Sequence, residues 1–189
     1  MMVGMNNQRQ FFNISLACDL MRKSIDQVLE QCATFNPSVD GTGIADKLFF
    51  DLFDTHVGFN CHFELQDYHA FAYVGINFVN NTAVECIISL GMPANIGHYS
   101  SELDVTKLFL VSLEELYLNG RIQEESELGT RVYTWRKDNR TVISFVSSPS
   151  FGRPKDTGAL LSVQIRDTQL HPQGAYFELL YNRAPKSVQ

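Results

Sequence analysis

The sequence lacks the features of a membrane or secreted protein. It has no run of the ~18 or more apolar residues that a transmembrane helix needs. Its first residues, MMVGMNNQRQFF, lack the charged start followed by an apolar stretch that marks a secretory signal. We therefore expect a cytoplasmic protein with no membrane partner.

Cysteine is also scarce, and the four that occur form no C-x-x-C pair and no dense framework. Such usage suits a reducing compartment. If residues 13–35 form one helix, Cys18 and Cys32 lie about 21 Å apart at ~1.5 Å of rise per residue. These two thiols could then not bond to each other.

Common catalytic signatures are absent as well. The sequence contains no G-x-x-x-x-G-K-[ST], no G-x-G-x-x-G, no H-E-x-x-H and no G-x-S-x-G. These absences remove the common classes of enzyme that such motifs mark. We predict no cofactor.

One short stretch does gather metal-binding residue types, because His56, Cys61, His62 and His69 fall within fourteen residues. Zinc needs its ligand atoms ~2.0–2.3 Å from one point. Cys61 and His62 are neighbours in a stretch of alternating apolar and polar residues, so a strand would send their side chains to opposite faces. Cys61 would join the core and His62 the solvent. We therefore predict no metal site.

The bulk composition is that of a packed globular protein. Apolar residues make up 44% and aromatics 12%, with 14 phenylalanines. A chain of 189 residues with this content can bury one ordinary core without staples. We expect a single domain over residues 1–189, with flexible ends at 1–12 and 183–189.

Charge is polarised along the chain. Residues 1–130 carry 6 basic and 17 acidic side chains, a net charge of −11, whereas residues 131–189 carry 9 basic and 4 acidic ones, a net charge of +5. The acidic part is either a set of solvated helix faces or a surface for a basic partner.

Apolar periodicity predicts three helices. Six apolar residues recur at spacings of four and three, which predicts one long helix over residues 13–35. After the turn PSVDGTG, residues 44–53 form a short apolar pattern. A third helix starts at Ser101 and ends at Asn119-Gly120. The six residues of the first helix are Ile14, Cys18, Met21, Ile25, Val28 and Cys32.

Alternation of apolar and polar residues predicts the strands. A meander of three strands follows the second helix, and four more strands follow the third. The fold class is therefore α+β, an antiparallel β-sheet packed against two or three helices in the order α-α-β-β-β-α-β-β-β-β. The predicted strands are 59–66, 70–79, 83–90, 130–137, 140–147, 159–167 and 175–182.

One local motif leaves an enzymatic alternative open. The residues Asp156-Thr157-Gly158-Ala159 resemble the short signature of the aspartic proteases, which pair two such carboxylates. The resemblance covers four residues, and the chain has one copy. A turn before a strand explains them at least as well. The alternative is thus a hydrolase with dispersed catalytic residues, such as Asp156 or a histidine.

A basic hairpin gives a second alternative. At residues 134–141, Trp135 accompanies Arg136, Lys137 and Arg140. Aromatic and basic side chains together can stack on and neutralise single-stranded nucleic acid. The acidic remainder of the chain would repel such a ligand, so we do not expect a nucleic-acid partner.

The leading interpretation is a non-enzymatic protein-binding domain. Its aromatic side chains exceed what a core of this size must hide, and aromatic anchors favour interfaces. The expected partner is another protein, a basic one in particular, and a homodimer is a second option. The candidate binding residues are Tyr68, His69, Tyr133, Trp135 and Arg136.

The predicted element order and the acidic charge are loosely similar to those of the small secretion chaperones of bacteria. Those proteins bind partner proteins and dimerise. A toxin-neutralising immunity protein or an adaptor would fit the same description. The similarity rests on topology alone.

Overall fold

The computed structural model describes residues 10–40, 52–93, 102–116, 122–125, 130–148, 160–176 and 179. It confirms the predicted α+β class. A short 3-10 helix, Ala33–Phe35, follows the second α-helix. The helices and strands are α1 (Ile14–Leu20), α2 (Ile25–Gln31), β1 (Ser38–Asp40), β2 (Thr55–Leu65), β3 (Tyr68–Val79), β4 (Thr82–Pro93), α3 (Glu102–Leu116), β5 (Ile122–Glu125), β6 (Arg131–Arg136), β7 (Thr141–Ser148) and β8 (Leu160–Asp167).

All eight strands belong to one antiparallel sheet, in the order β1-β2-β3-β4-β8-β7-β6-β5. Strands β1–β4 form one meander and β5–β8 a second, with each strand paired to the next along the chain. The two meanders meet where β4 pairs with β8, and there Glu85 lies opposite Arg166. We call this β4–β8 pairing the seam.

The β2–β4 meander follows the predicted alternation. In β2, Phe59 and Cys61 are buried while His62 is exposed. The predicted turn at Asn80-Asn81 is confirmed, and both residues have the positive φ angles, 49° and 60°, that a tight two-residue hairpin turn requires. The strands run longer than predicted because each hairpin pairs up to its turn.

The prediction of one long first helix is wrong, because the chain breaks it into α1 and α2. Arg22 has a φ of 69°, and its N–H donates to the carbonyl of Ala83 at 2.8 Å. The N–H of Ala83 donates back to the carbonyl of Lys23 at 2.9 Å. Ser24 then starts α2, accepting from the N–H of Gln27 and donating its own N–H to the Gln27 side chain. This S-x-x-Q capping box was the sequence signal of a second helix start.

Helix α3 carries a side chain that joins both meanders. Phe109 is fully buried, and its ring stacks 4.7 Å from Phe145 of β7 and 6.1 Å from Phe63 of β2, between centroids. Tyr68 of β3 meets the same ring edge-on at 5.7 Å. Stacked and edge-on aromatic pairs add to the burial of apolar area. The core between α3 and the sheet therefore depends on Phe109.

In the second meander, β6, β7 and β8 are confirmed close to their predicted bounds. Asp138 closes the β6–β7 turn by accepting the N–H groups of Arg140 and Thr141, both at 2.8 Å. The predicted last strand, 175–182, is wrong in its described part, because residues 175, 176 and 179 are helical. Strands β1 and β5 were not predicted, since three or four residues are too few to show alternation.

The chain before α1 is attached to β2. Phe12 is fully buried, its N–H donates to the carbonyl of His62 at 2.8 Å, and its carbonyl accepts the N–H of Glu64 at 2.9 Å. Any flexible N-terminal segment must therefore end before Phe12.

Several predictions lie outside the described residues. They concern residues 1–9, most of the predicted helix 44–53, the loop that contains Asp156, and the tail 183–189. None of the helices in the described part of the chain is long and apolar enough to span a membrane.

We expect Phe109→Ala to lower the free energy of unfolding by about 3–5 kcal/mol, because it removes a ring that contacts both meanders. Val111→Ala on the same helix is the matched control, because Val111 is 53% exposed and should change stability by less than ~0.5 kcal/mol. Urea denaturation followed by circular dichroism measures both. A Phe109→Ala loss below about 1 kcal/mol would contradict this account of the core.

Candidate functional site

A row of polar side chains crosses four neighbouring strands on the face of the sheet opposite Phe63 and the α3 core. We call this face the outer face. The register places Asn77 opposite both His56 and Glu85, and Glu85 opposite Arg166. Tyr73 lies on the same face of β3, four residues before Asn77. We call these five residues, Tyr73, His56, Asn77, Glu85 and Arg166, the polar row.

Hydrogen bonds join the polar row from end to end. The Tyr73 hydroxyl lies 2.9 Å from His56 Nε2, and His56 Nδ1 lies 2.8 Å from Asn77 Oδ1. Asn77 Nδ2 donates to Glu85 Oε2 at 2.7 Å, and Arg166 Nε donates to Glu85 Oε1 at 2.6 Å. The row thus runs from a tyrosine that is 42% exposed to a buried carboxylate.

The direction of each proton in the row follows from its buried end. An ionised Glu85 only accepts, so the amide nitrogen of Asn77 must face it and the amide oxygen must face His56. His56 Nδ1 therefore carries a proton and donates it to Asn77. In the neutral ring Nε2 is then the acceptor, and it accepts the hydroxyl proton of Tyr73. Every donor in the row points toward Glu85.

Glu85 is ionised although it is only 4% exposed. Burial acts to raise its pKa, but the adjacent His171 ring, the charge of Arg166 and the hydrogen bond from Asn77 lower the pKa to about 2. His171 Nε2 lies 3.5 Å from Glu85 Oε1, while His171 Nδ1 accepts the N–H of Gln173 at 3.0 Å. That acceptor role leaves the ring proton on Nε2, where it faces the carboxylate. The negative charge at Glu85 is thus held by partners on three sides.

Two glycines make room for the exposed end of the row. Gly58 and Gly75 pair across β2 and β3. A Cβ on Gly58 would lie 2.2 Å from the Tyr73 hydroxyl, and a Cβ on Gly75 would lie 2.6 Å from His56 Cε1. The two rings therefore lie over bare backbone, and a side chain at either glycine would displace one of them.

Next to the row, aromatic side chains stay exposed on the outer face. Phe71 is 52% exposed and meets the ring of His62 edge-on at 5.8 Å. The ring of Phe11 contacts both His62, at 6.3 Å, and His69, at 5.1 Å. We call Phe71, Tyr73, Phe11, His62 and His69 the aromatic patch. His62 and His69 are thus neighbours around one phenyl ring.

The predicted binding residues divide between the core and the outer face. Trp135 is fully buried, and Tyr68 and Tyr133 are nearly so, which corrects their selection as exposed anchors. Burial raises the pKa of Tyr68 to about 12. Of the five, His69 and Arg136 are partly exposed. Only His69 belongs to the aromatic patch.

The hairpin 134–141, weighed above as an alternative site for nucleic acid, has its one aromatic residue buried for the same reason. Trp135 faces the core, so it is not available to stack on a base. Arg140 Nη2 lies 3.2 Å from Asp167, a fully buried carboxylate that also accepts from Arg22 Nε at 2.5 Å. Burial acts to raise the pKa of Asp167, but its hydrogen bonds, first that from Arg22, lower it. Arg140, one of the basic residues of the hairpin, therefore forms an ion pair within the protein.

All four cysteines lie buried in one core cluster. Burial raises the pKa of Cys32 to about 11 and that of Cys61 to about 12. Burial also raises the pKa of Cys86, and the thiols of Cys18 and Cys32 add to that shift. Within the described residues, no group of three or more His, Cys, Asp or Glu side chains is arranged to hold a metal ion.

The chain was compared with protein families, with curated proteins and with solved structures. No match was found.

Sequence reasoning missed the polar row. His56, Asn77, Glu85 and Arg166 come from four strands, and the two ends of its ion pair are 81 residues apart. Their one local signal is that Glu85 and Asn77 are polar residues inside strongly apolar strands. A buried strand keeps such residues only where partners satisfy them.

We expect Glu85→Gln to destabilise the protein by about 3 kcal/mol at neutral pH, because it leaves Arg166 without its buried counter-charge. The folded pKa of about 2 lies below the ordinary 4.5, so the carboxylate contributes fully above pH 4.5 and loses its contribution as the pH falls toward 2. The gap in stability between wild type and Glu85→Gln should therefore close between these two pH values.

Urea denaturation at a series of pH values measures this gap. Glu64→Gln, which removes a partly exposed carboxylate of β2, is the matched control and should follow the wild type. A gap between wild type and Glu85→Gln that stays constant down to pH 2 would contradict the ion pair.

Proposed function

We propose that the chain is a non-enzymatic protein-binding domain of the chaperone, immunity or adaptor kind, and that it docks a basic partner protein on the aromatic patch. The observation that carries this proposal is the exposure of Phe71 and Tyr73, 52% and 42%, on the same face of one strand. Most other large aromatic side chains of the described chain are in the core.

The aromatic patch has the composition of a binding surface. Phe71 and Tyr73 alternate along β3, so their rings stand on one side of a rigid strand. The hydrogen bond from Tyr73 to His56 holds one ring in place before a partner arrives. A preordered aromatic side chain loses little entropy when it binds, which is why such residues dominate interface energies.

The charge around the patch favours a basic partner. Residues 48–106 contain no lysine or arginine but seven aspartates and glutamates. This segment includes all of β2, β3 and β4, so these three strands carry only negative formal charge, of which Glu85 is already paired with Arg166 of β8. Such a surface attracts a basic protein and speeds its association at low salt.

The same features indicate how the partner would bind. An arginine or lysine of the partner can lie on the face of Phe71 or Tyr73, an arrangement worth ~0.5–2 kcal/mol. A second copy of this chain would bring the same strands, which hold no lysine or arginine, to the interface. We therefore favour a different, basic protein over the homodimer.

We expect Phe71→Ser to abolish recovery of the partner, because it removes a ring of the patch that is 52% exposed. The experiment is intact-complex mass spectrometry of the tagged protein isolated from its own cells, followed by titration of the purified partner at rising salt. Val111→Ser, at 53% exposure on α3, is the matched control and should bind like the wild type.

The salt dependence tests the charge argument separately, because affinity should fall as salt rises. Equal binding by the Phe71→Ser and wild-type proteins would place the interface elsewhere. A wild-type homodimer that Phe71→Ser converts to monomer would show that the occupant is a second copy and would refute the basic partner.

A further inference from the structure

The geometry of the polar row points to a chemical property of Tyr73 beyond partner binding. We propose that the Tyr73 hydroxyl is a nucleophile that accepts one acyl group from an uncharged thioester or aryl ester, with His56 as its general base. The aromatic patch would then carry a site of covalent acylation.

The first support is the arrangement of nucleophile and base. The Tyr73 hydroxyl donates to His56 Nε2 at 2.9 Å, which is the separation at which a base removes a proton as the oxygen attacks. The Tyr73 residue as a whole is 42% exposed, so the proposed acyl donor would approach from the solvent side of its ring. A hydroxyl bonded to a histidine that is oriented by a third group is the usual arrangement of an activated nucleophile.

The second support is that the rest of the row holds His56 in the reactive tautomer. Asn77 Oδ1 takes the Nδ1 proton, and Asn77 in turn is fixed by Glu85. When His56 gains a proton at Nε2, the ring becomes positive and faces the oxygen of Asn77, with the ionised Glu85 behind it. Asn77 and Glu85 are therefore positioning residues. The Gly58–Gly75 pair gives both reacting rings the room to lie together.

The chemistry of a phenol sets the class of acyl donor. Tyrosine has an ordinary pKa near 10, so its oxygen displaces only leaving groups of about that pKa or lower. Thiols, with a pKa of about 8.5, and phenols qualify, whereas simple alcohols do not. The acyl group should be apolar and uncharged, because Phe71 flanks the site, residues 48–106 hold no lysine or arginine, and Arg166, the cation of the row, is bonded to Glu85.

The reaction needs no further reactant. The Tyr73 oxygen forms a bond to the acyl carbon, and the bond from that carbon to the sulfur or oxygen of the leaving group breaks. The phenolic proton passes to His56 Nε2 and then to the leaving group. The products are an acyl ester of Tyr73 and a free thiol or phenol, and nothing is oxidised or reduced.

The test is acylation of the full chain by p-nitrophenyl acetate and by the acetyl thioester of N-acetylcysteamine, with each tyrosine followed by peptide mass spectrometry. We expect Tyr73 to be acetylated faster than Tyr176, which is more exposed at 52%. His56→Gln should slow acetylation of Tyr73 about 100-fold or more, the usual contribution of a general base. Tyr176 should react at an unchanged rate in that variant.

Buried tyrosines report whether a variant is folded. Tyr68 and Tyr133 should stay unmodified, and their acetylation in His56→Gln would show unfolding. If His56→Gln is unfolded, the rates of acetylation of Tyr73 and Tyr176 in the wild type decide whether Tyr73 is an activated nucleophile. Acetylation of Tyr73 no faster than that of Tyr176, or unaffected by His56→Gln in a folded protein, would overturn the proposal.

Discussion

The ion pair between Glu85 and Arg166 holds the two halves of the molecule in register. It lies at the seam, where the last strand of each meander pairs with that of the other. A slip of one residue there would turn every side chain of one meander to the wrong face. It would also leave a buried carboxylate and a nearly buried guanidinium apart, which costs far more than the pair itself contributes. The pair therefore adds a penalty for wrong registers to the backbone pairing of β4 with β8.

The two faces of the sheet serve different purposes because of this register. One face, with Phe109 between Phe63 and Phe145, forms the core. The other face carries the polar row, and its buried end at Glu85 sets the direction of every hydrogen bond out to Tyr73. The same charge that fixes the seam thus determines the tautomer of a histidine at the surface. In this protein, both the stability of the fold and the proposed reactivity of Tyr73 on the outer face depend on the carboxylate of Glu85.

Alternation along single strands was enough to predict much of this architecture. It separated Cys61 from His62 and gave β2, β3, β4, β6, β7 and β8 close to their positions. It was not enough to predict the polar row, because that row depends on which strands become neighbours. Arg166 meets Glu85 through a pairing of residues 81 apart, and no local pattern encodes it. The expectation that Tyr133 and Trp135 are exposed was wrong for a related reason. Both lie on one side of β6, but the pattern does not say which side of the sheet the helices cover.

The burial of the cysteines is by itself enough to keep their thiols reduced. A thiol with a pKa of 11 or 12 is ionised in roughly one molecule in 10⁴ or fewer at neutral pH, and only the thiolate reacts readily with oxidants and disulfides. Cys32 and Cys61 would therefore persist as thiols in an oxidising solution as well as in a reducing one. The low reactivity of these two thiols follows from their burial in the core. Their reduced state is therefore no evidence about the compartment in which the protein works.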